Sequence, residues 1–155
     1  MPPMLDRLDF RILALLEANG RASFADIAEA VGLSKTPCWS RVQALQEAGV
    51  ILGYRSDLSR ARLGLTILCF VDVAIELDRH GAFEAAVVGL DSVIECHTTV
   101  GSSDYVLRVV ARDVGHLDDI LRHQLSQLPG VKSFTTRICL KSIKEGGSLV
   151  SCAAP

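Results

Sequence analysis

The first third of the chain spaces its apolar residues as a series of amphipathic helices does. From Leu5 to Leu16 they recur every three or four positions, which predicts a first helix over that range. Ser23 and Asp26 have the spacing of a capping box, in which a hydroxyl and a carboxylate satisfy exposed amides. A second helix is therefore expected over Phe24–Val31, and Gly32 suits the sharp turn that ends it.

A third amphipathic helix is expected to follow this turn. Ser34 or Thr36 would begin it, since both are good capping residues and a proline is tolerated in a first helical turn. Its apolar side carries Cys38, Val42 and Leu45, which must pack inward. The opposite side carries the polar residues Thr36, Ser40, Gln43 and Glu47. Arg41 and Trp39 lie on the flanks between the two sides.

Two helices joined by a short glycine-containing turn have the geometry of a helix-turn-helix. The segment VILGYRSDL that follows Gly49 predicts a short strand, a turn at Gly53 and a second strand, which together would form a small wing. The polar, turn-forming residues 55–64 are the expected linker.

From Leu65 onward the pattern changes to strands alternating with helices. The order βαββαβ is that of the ferredoxin-like split arrangement, so the expected fold class is α+β. The predicted strands and helices, in chain order, are Leu65–Glu76, Ala82–Leu90, Val93–Val100, Tyr105–Arg112, Gly115–Leu128 and Val131–Lys144. We therefore expect a winged helix-turn-helix domain over residues 1–54 and a ferredoxin-like domain over residues 65–155, with a loosely held C-terminal end.

The first predicted strand has two unequal faces. Cys69, Val71 and Val73 belong to its more apolar set, which should face the two helices. That places Leu68 and Phe70 on the other face, where a phenyl ring is costly to leave in water. We expect a second copy of the chain to cover them.

Composition restricts the class of protein. The 155 residues are 49% hydrophobic and carry a formal net charge of −2, which supports a folded core and indicates no overall affinity for nucleic acid. The apolar runs are too short for a membrane helix, and the N-terminal residues lack the order of a signal peptide, so a cytoplasmic protein is expected. The five cysteines form no C-x-x-C pair, which disfavours a disulfide framework or a zinc site.

Positive charge is nevertheless concentrated on the third helix and the residues after it. Between residues 35 and 62 five basic residues stand against two acidic ones, a balance of +3. Phosphates would lie there if this helix entered a major groove, and its short polar side chains would reach phosphates or base edges. The alternative is an ordinary surface with ordinary helix caps, and Trp39 alone is better explained by packing than by base stacking.

The segment TTVGSSDYVLRV is the other candidate site. Gly101 permits a positive φ, and the hydroxyls and carboxylate around it offer donors and acceptors for the two charged groups of an amino acid. Glycine, serine and aspartate are also the usual residues of a hairpin turn, so this simpler interpretation stays open.

Nothing in the sequence predicts an enzyme. The four histidines have no ligand spacing, and no H-E-x-x-H, G-x-S-x-G or glycine-rich phosphate loop occurs. Cys96 and His97 are adjacent in a predicted strand, so their side chains point to opposite faces and form no nucleophile pair. A metabolic enzyme with a regulatory sheet domain would need a catalytic constellation that the sequence lacks.

The segment LDRLDFRILALLEANGRASFADIAEAVGLSKTPCWSRVQALQEAGVILGY strongly resembles the N-terminal winged helix-turn-helix of the Lrp/AsnC family, the feast/famine transcriptional regulators. Downstream, VIECHTTVGSSDYVLRVVARD and LSQLPGVKSFTTRICLKSIK are similar to that family's C-terminal amino-acid-sensing domain. The likeness extends from about Leu5 to Lys144. It implies a DNA-reading helix over Ser34–Ala48 and an effector loop over Thr99–Tyr105.

The resemblance implies a dimer joined through the sheets and often assembled into octamers, with double-stranded DNA and an amino-acid effector as partners. No cofactor is expected, and the effector is not identified by these residues. The DNA-binding candidates are Ser34, Lys35, Thr36, Pro37, Ser40, Arg41, Gln43 and Arg55. The effector-binding candidates are Thr99, Gly101, Ser103, Asp104, Tyr105, Ser126, Thr135 and Thr136. The alternative is an architectural protein that compacts DNA without sequence preference.

Overall fold

A computed structural model describes residues 4–153, which divide into two compact units. The first contains the described residues up to Asp57 together with those from Lys144 onward, and the second spans Leu58–Ile143. We expected the sheet domain to include the C-terminal residues, but the structure groups the residues after Ile143 with the first unit.

The first unit is built on three helices: α1 (Arg7–Ala18), α2 (Phe24–Val31) and α3 (Lys35–Glu47). A capping box at Asp6 and Asp9 begins α1, and the predicted one at Ser23 and Asp26 begins α2. Gly32 ends α2 with a φ of 76°, a left-handed conformation that favours glycine. The helix predictions are confirmed, with α1 displaced by two residues.

The predicted apolar side of α3 forms part of the core of the first unit. Cys38, Val42 and Leu45 are buried there against Ile12 of α1 and the apolar residues of α2. The guanidinium group of Arg11 donates to the carbonyl of Ala30 at 2.6 Å, so a side chain of α1 satisfies the end of α2. The three helices therefore form one packed body.

The wing strands that we predicted after Gly49 are absent from the structure: no residue between 50 and 58 is in a strand. The amides of Val50 and Ile51 both donate to the carbonyl of Leu45, at 2.9 and 3.2 Å. These amides satisfy the C-terminal end of α3 and are unavailable to a strand ladder.

The second unit is a four-stranded antiparallel sheet with helices on one face. Its elements are β1 (Ile67–Ile75), α4 (His80–Val87), β2 (Val93–Thr98), β3 (Tyr105–Ala111), α5 (Val114–His123) and β4 (Val131–Ile138). The strands follow the order β2-β3-β1-β4, and the chain alternates as βαββαβ, so the ferredoxin-like prediction is confirmed.

All six elements of this unit are shorter than predicted, and two of them by four residues or more. The helix α5 stops at His123, and Leu125–Gln127 continues as a 3-10 turn. The strand β4 ends at Ile138, which pairs with Cys69 near the start of β1; one more bond, from the Cys139 amide to the Leu68 carbonyl, closes the ladder. The following residues have no strand to pair with, so the prediction to Lys144 was too long.

One face of the sheet packs against the helices. Cys69, Val71 and Val73 of β1 are buried there with Phe83 of α4 and Ile120 of α5, as their alternation predicted. The other face carries charged pairs beside apolar side chains. Of the two apolar residues that we expected a second copy to cover, Leu68 is already buried within the chain, and Phe70 is only partly buried. Arg137 lies 2.8 Å from Asp72, and Arg108 lies 2.9 Å from Glu95.

The C-terminal residues form a short helix, α6 (Leu149–Ala153), rather than a loosely held end. The Ser148 hydroxyl donates to the carboxylate of Glu17 in α1 at 2.5 Å, and the Leu149 amide does so at 2.7 Å. These bonds lower the pKa of Glu17, because they stabilise the charged carboxylate, with the Ser148 bond contributing most. A distant part of the sequence thereby attaches to the helix-turn-helix.

Candidate functional site

The polar side of α3 forms the candidate DNA-reading surface. Ser34, Lys35, Thr36 and Ser40 are all exposed, as is Pro37 in the first turn. They share this side because the opposite side of the helix is buried by Cys38, Val42 and Leu45. The surface offers short hydroxyls and one cation, the groups that contact phosphates and base edges.

The N-terminal end of α3 differs from those of the two preceding helices. Side-chain caps satisfy the first amides of α1 and α2, whereas the Ser34 side chain makes no capping hydrogen bond although serine is a strong capper. Ser34, Lys35 and Thr36 are exposed residues, and the Ser34 side chain caps the amide of neither Lys35 nor Thr36. A phosphate is a suitable partner for such amides.

Arg41, unlike the exposed residues of this polar surface, is partly buried and is paired with two carboxylates. Its Nη1 is 2.7 Å from a carboxylate oxygen of Asp6 and 2.8 Å from one of Asp9, so it joins α3 to the start of α1. The bond to Asp9 is the main reason that the pKa of Arg41 is raised further. The pKa of Asp6 is lowered, first by the Asp9 amide and then by Arg41. Sequence spacing did not indicate this clamp.

The remaining DNA candidates are less closely grouped. Gln43 is partly buried and donates to Gln46 at 3.0 Å, whereas Arg55 is exposed beyond the end of α3. Arg60 belongs to the second unit, where it donates to the carbonyl of Leu65 at 2.9 Å. The basic residues that gave the +3 balance are therefore divided between the two units.

The candidate effector loop joins β2 to β3 and is closed by its own hydrogen bonds. The Thr99 hydroxyl donates to the carbonyl of Ser103 at 2.7 Å, and the Thr99 amide donates to that of Asp104 at 2.9 Å. Gly101 has a φ of 149°, where a side chain would be strained, and space around it is open. Between these bonds the loop presents exposed backbone.

Asp104 anchors this loop to the neighbouring strand. Its carboxylate accepts from the Ile75 amide at 2.8 Å, and its own amide donates to the Val73 carbonyl at 2.9 Å. One carboxylate oxygen is thus already used inside the fold. Asp104 fixes the loop on the end of β1, in addition to any ligand contact.

Tyr105 lies beneath the loop rather than on its surface. It is 1% exposed, packs against the ring of Phe83 at 4.6 Å between centroids, and donates its hydroxyl to Glu84 at 2.7 Å. His80 Nδ1 lies 2.9 Å from the same hydroxyl oxygen. Burial, followed by the bond to Glu84, raises the pKa of Tyr105 to about 12. Its side chain therefore supports the loop and does not offer a ligand contact.

The other effector candidates do not gather around the loop within one chain. Thr135 pairs with Asp72 on the outer face, whereas Thr136 pairs with Val71 on the helix-covered face, so the two cannot contact one ligand together. The sheet order places β4 two strands from β3, roughly 10 Å away at the usual strand spacing. The Ser126 hydroxyl donates to the Arg122 carbonyl.

Thr136 has one unusual property. Its hydroxyl oxygen is buried, and no hydrogen-bond partner for it exists among the residues that the structure describes. Such an atom is costly to desolvate without a partner. Alternation along the predicted strand separates Thr136 from Thr135, but it does not indicate a buried hydroxyl without a partner.

Sequence reasoning missed two aromatic residues of the first unit. Trp39 is 50% exposed and Phe24 is 38% exposed, and both line a surface cleft at the start of α2 and α3. Packing, which we expected for Trp39, can account for only part of this residue. The position of Trp39 on the flank of the α3 helical wheel, beside the polar side, was the sequence feature that could have indicated its exposure.

Other kinds of site are not found among residues 4–153. No group of three metal-ligating side chains could hold an ion, and no helix is long and apolar enough to cross a membrane. The cysteines are free, and burial raises the pKa of Cys38, Cys69 and Cys96. Buried thiols of this kind behave as small apolar residues.

A helix-turn-helix with an exposed third helix, joined in one chain to a ferredoxin-like sheet unit, defines a two-domain transcriptional regulator that binds DNA. Residues 5–51 match the model of the winged helix-turn-helix DNA-binding family, and residues 68–149 match that of the Lrp/AsnC ligand binding domain. The chain belongs to the Lrp/AsnC family of transcriptional regulators.

Individual relatives resemble the chain along nearly its whole length. It is 38% identical over 151 residues to the proline dehydrogenase transcriptional activator of Rhodobacter capsulatus, covering 96% of this chain and 98% of that one. It is 35% identical to the leucine-responsive regulatory protein of Escherichia coli, over 94% and 91% of the two chains. A Neisseria meningitidis transcriptional regulator, crystallised as its L-Met complex, superposes with a TM-score of 0.88 at 30% identity, over 92% and 94%.

Proposed function

We propose that the protein regulates genes of amino-acid metabolism or transport by binding specific DNA sequences as a homodimer, in response to an amino acid. The exposed polar side of α3 is the observation that supports DNA binding. Its hydroxyls, Lys35 and its uncapped amides suit contact with bases and phosphates in a major groove. The proposed DNA contacts are those predicted from the sequence, with Arg41 in a double role as clamp and contact. A cytoplasmic location follows from a DNA partner.

The proposed effector site centres on Thr99, Gly101 and Ser103. Open space at Gly101 and exposed backbone beside it would accept a small zwitterion. Among residues 4–153, the Ser126 hydroxyl bonds to the Arg122 carbonyl and Thr135 pairs with Asp72, so neither is directed to this loop by those bonds. This supports completion of the site by a second copy, as the family resemblance implies. Relatives named for leucine response and proline dehydrogenase activation, and a neighbour bound to L-Met, favour an amino acid as ligand.

The outer face of the sheet is the proposed dimer surface. Phe70 lies there between Arg108 and Arg137, its cross-strand partners, and both arginines have carboxylate partners on the same face. A face with an aromatic residue framed by ion pairs is typical of a protein interface. Further assembly to an octamer is proposed on the family resemblance.

The decisive experiment selects duplex DNA from a random pool with the full-length protein and measures affinity by fluorescence anisotropy at physiological salt. We expect a conserved two-fold motif, and an affinity that one of the common amino acids changes. Thr36→Ala with Ser40→Ala should reduce the preference for the motif, whereas Glu29→Gln on α2 should not. Selection of no motif, with salt-dependent binding to all duplexes, would favour the architectural alternative.

A further inference from the structure

The first unit contains a surface cleft of about 430 Å³ between the beginnings of α2 and α3. Its lining comes from the first turns of the two helices: Ser23, Phe24, Ala25, Lys35, Thr36 and Trp39. Two of these residues, Lys35 and Thr36, are already candidates for contact with DNA. The cleft is therefore continuous with the proposed DNA-reading surface.

The two aromatic walls of this cleft are not part of the core. Phe24 and Trp39 are not among the buried residues of the cluster around Ile12 and Val42, since they are 38% and 50% exposed. Exposed aromatic side chains of this size mark sites that contact a partner. The cleft therefore needs an apolar occupant.

The charge of the cleft restricts that occupant. Lys35 is the charged residue of the lining, and no carboxylate belongs to it. Apolar walls with a cation at the rim suit a ligand that is apolar at one edge and anionic at the other. A thymidine in duplex DNA has both, because the 5-methyl group projects into the major groove beside the phosphate backbone.

We infer that Trp39 and Phe24 receive the 5-methyl group of a thymine while Lys35 contacts a neighbouring phosphate, so that this cleft determines part of the sequence preference. The inference rests on the proposed DNA binding and deepens it. Trp39 would be a specificity residue, because every base pair offers phosphates but only thymine offers the methyl group.

The test replaces single thymines of the selected duplex by uracil, which removes only the methyl group. One position in each half-site should lose about fourfold in affinity for the wild-type protein, the usual effect of one buried methyl-sized group. Trp39→Ala should bind the thymine and uracil duplexes equally. Leu52→Ala, at a 93% exposed position of the same unit, should keep the full fourfold difference.

The single tryptophan of the chain provides a second readout. Emission of Trp39 should shift to shorter wavelength when the thymine duplex binds, and shift less with the uracil duplex. A blue shift that instead follows protein concentration without DNA would assign the cleft to another copy of the chain and overturn the inference.

The possible failures are distinct. If no thymine position responds, or if Trp39→Ala still distinguishes thymine from uracil, the methyl contact is wrong while DNA binding stands. If no duplex is selected at all, the proposed function itself fails.

Discussion

The two units present their candidate sites in opposite ways. In the first unit Lys35, Thr36 and Ser40 lie exposed along one side of a single helix. In the second unit the candidate residues are bonded within the fold or separated by it: Asp104 holds the Ile75 amide, and Tyr105 is buried. The proposed surface for DNA therefore lies on a single chain, whereas the proposed effector site is only partly formed by one chain.

This difference has a physical origin in the two kinds of element. A helix that packs on one side leaves its opposite side free, so residues three or four apart form a surface automatically. A sheet covered by helices on one face divides neighbouring residues between two environments, as Thr135 and Thr136 demonstrate. Because neighbouring residues of one strand face opposite sides, a ligand site at a sheet edge needs further residues from another element or from another copy of the chain.

The largest effect is expected at the outer face of the sheet. Phe70→Asp would place a charge in the proposed dimer interface, at a cost of about 3 kcal/mol, roughly a hundredfold in the dimer Kd. The folded chain should tolerate it, because Arg108 and Arg137 flank that position. Light scattering at micromolar concentration should show a dimer or larger assembly for the wild type and a monomer for the variant.

The matched control is Leu77→Asp, at an 88% exposed position just after β1, which should leave the assembly intact. The monomeric variant should also lose its response to the amino acid if a second copy completes the effector site. A wild-type protein that scatters as a monomer would refute the dimer, and with it the expectation for the effector.

The sequence predicted elements wherever local chemistry alone determines them. Ser23 and Asp26 identified the start of α2, and the alternation in β1 identified its buried face. It failed for two different reasons. The wing is missing because the end of α3 takes the amides of Val50 and Ile51 at the nearby Leu45 carbonyl, a local bond that the strand pattern did not indicate. The C-terminal residues are held by Glu17, which is more than 130 positions away.

The candidate sites follow the same division. The polar side of α3 could be predicted from helical periodicity, which is a local property. The pairing of Arg41 with Asp6 and Asp9 joins residues more than thirty positions apart, and no spacing rule relates them. The Phe24 and Trp39 cleft likewise depends on the angle between two helices, which periodicity does not give.

An intermediate effect is expected at the Arg41 clamp. Arg41→Ala removes both ion pairs that join α3 to the start of α1, whereas Asp9→Asn removes one of them. The pairs are partly exposed, so each variant should lower the free energy of unfolding by at most about 1 kcal/mol, and Asp9→Asn by less. Only Arg41→Ala should also weaken DNA binding, by about 1–3 kcal/mol if its guanidinium contacts a base edge. Urea denaturation and anisotropy with the selected duplex measure the two effects separately.

Asp9→Asn is the informative partner, because it weakens the clamp without removing Arg41, which keeps its ion pair with Asp6 at 2.7 Å. If both variants lose stability and neither loses DNA affinity, Arg41 is a clamp alone and should be removed from the reading residues.

The smallest effect is expected where the C-terminal residues meet α1. The Ser148 hydroxyl and Leu149 amide hold the pKa of the Glu17 carboxyl below its usual value, so the attachment is favoured by the charged form. It should be complete above the ordinary glutamate pKa and disappear as the pH falls through the lowered one. Because Glu17 is exposed, this should detach α6 without unfolding the helix-turn-helix. The chemical shift of the Leu149 amide, followed by NMR from neutral to acidic pH, should change with this transition in the wild type and stay nearly constant in Glu17→Gln. Equal pH dependence in both proteins would show that another group controls the attachment of α6.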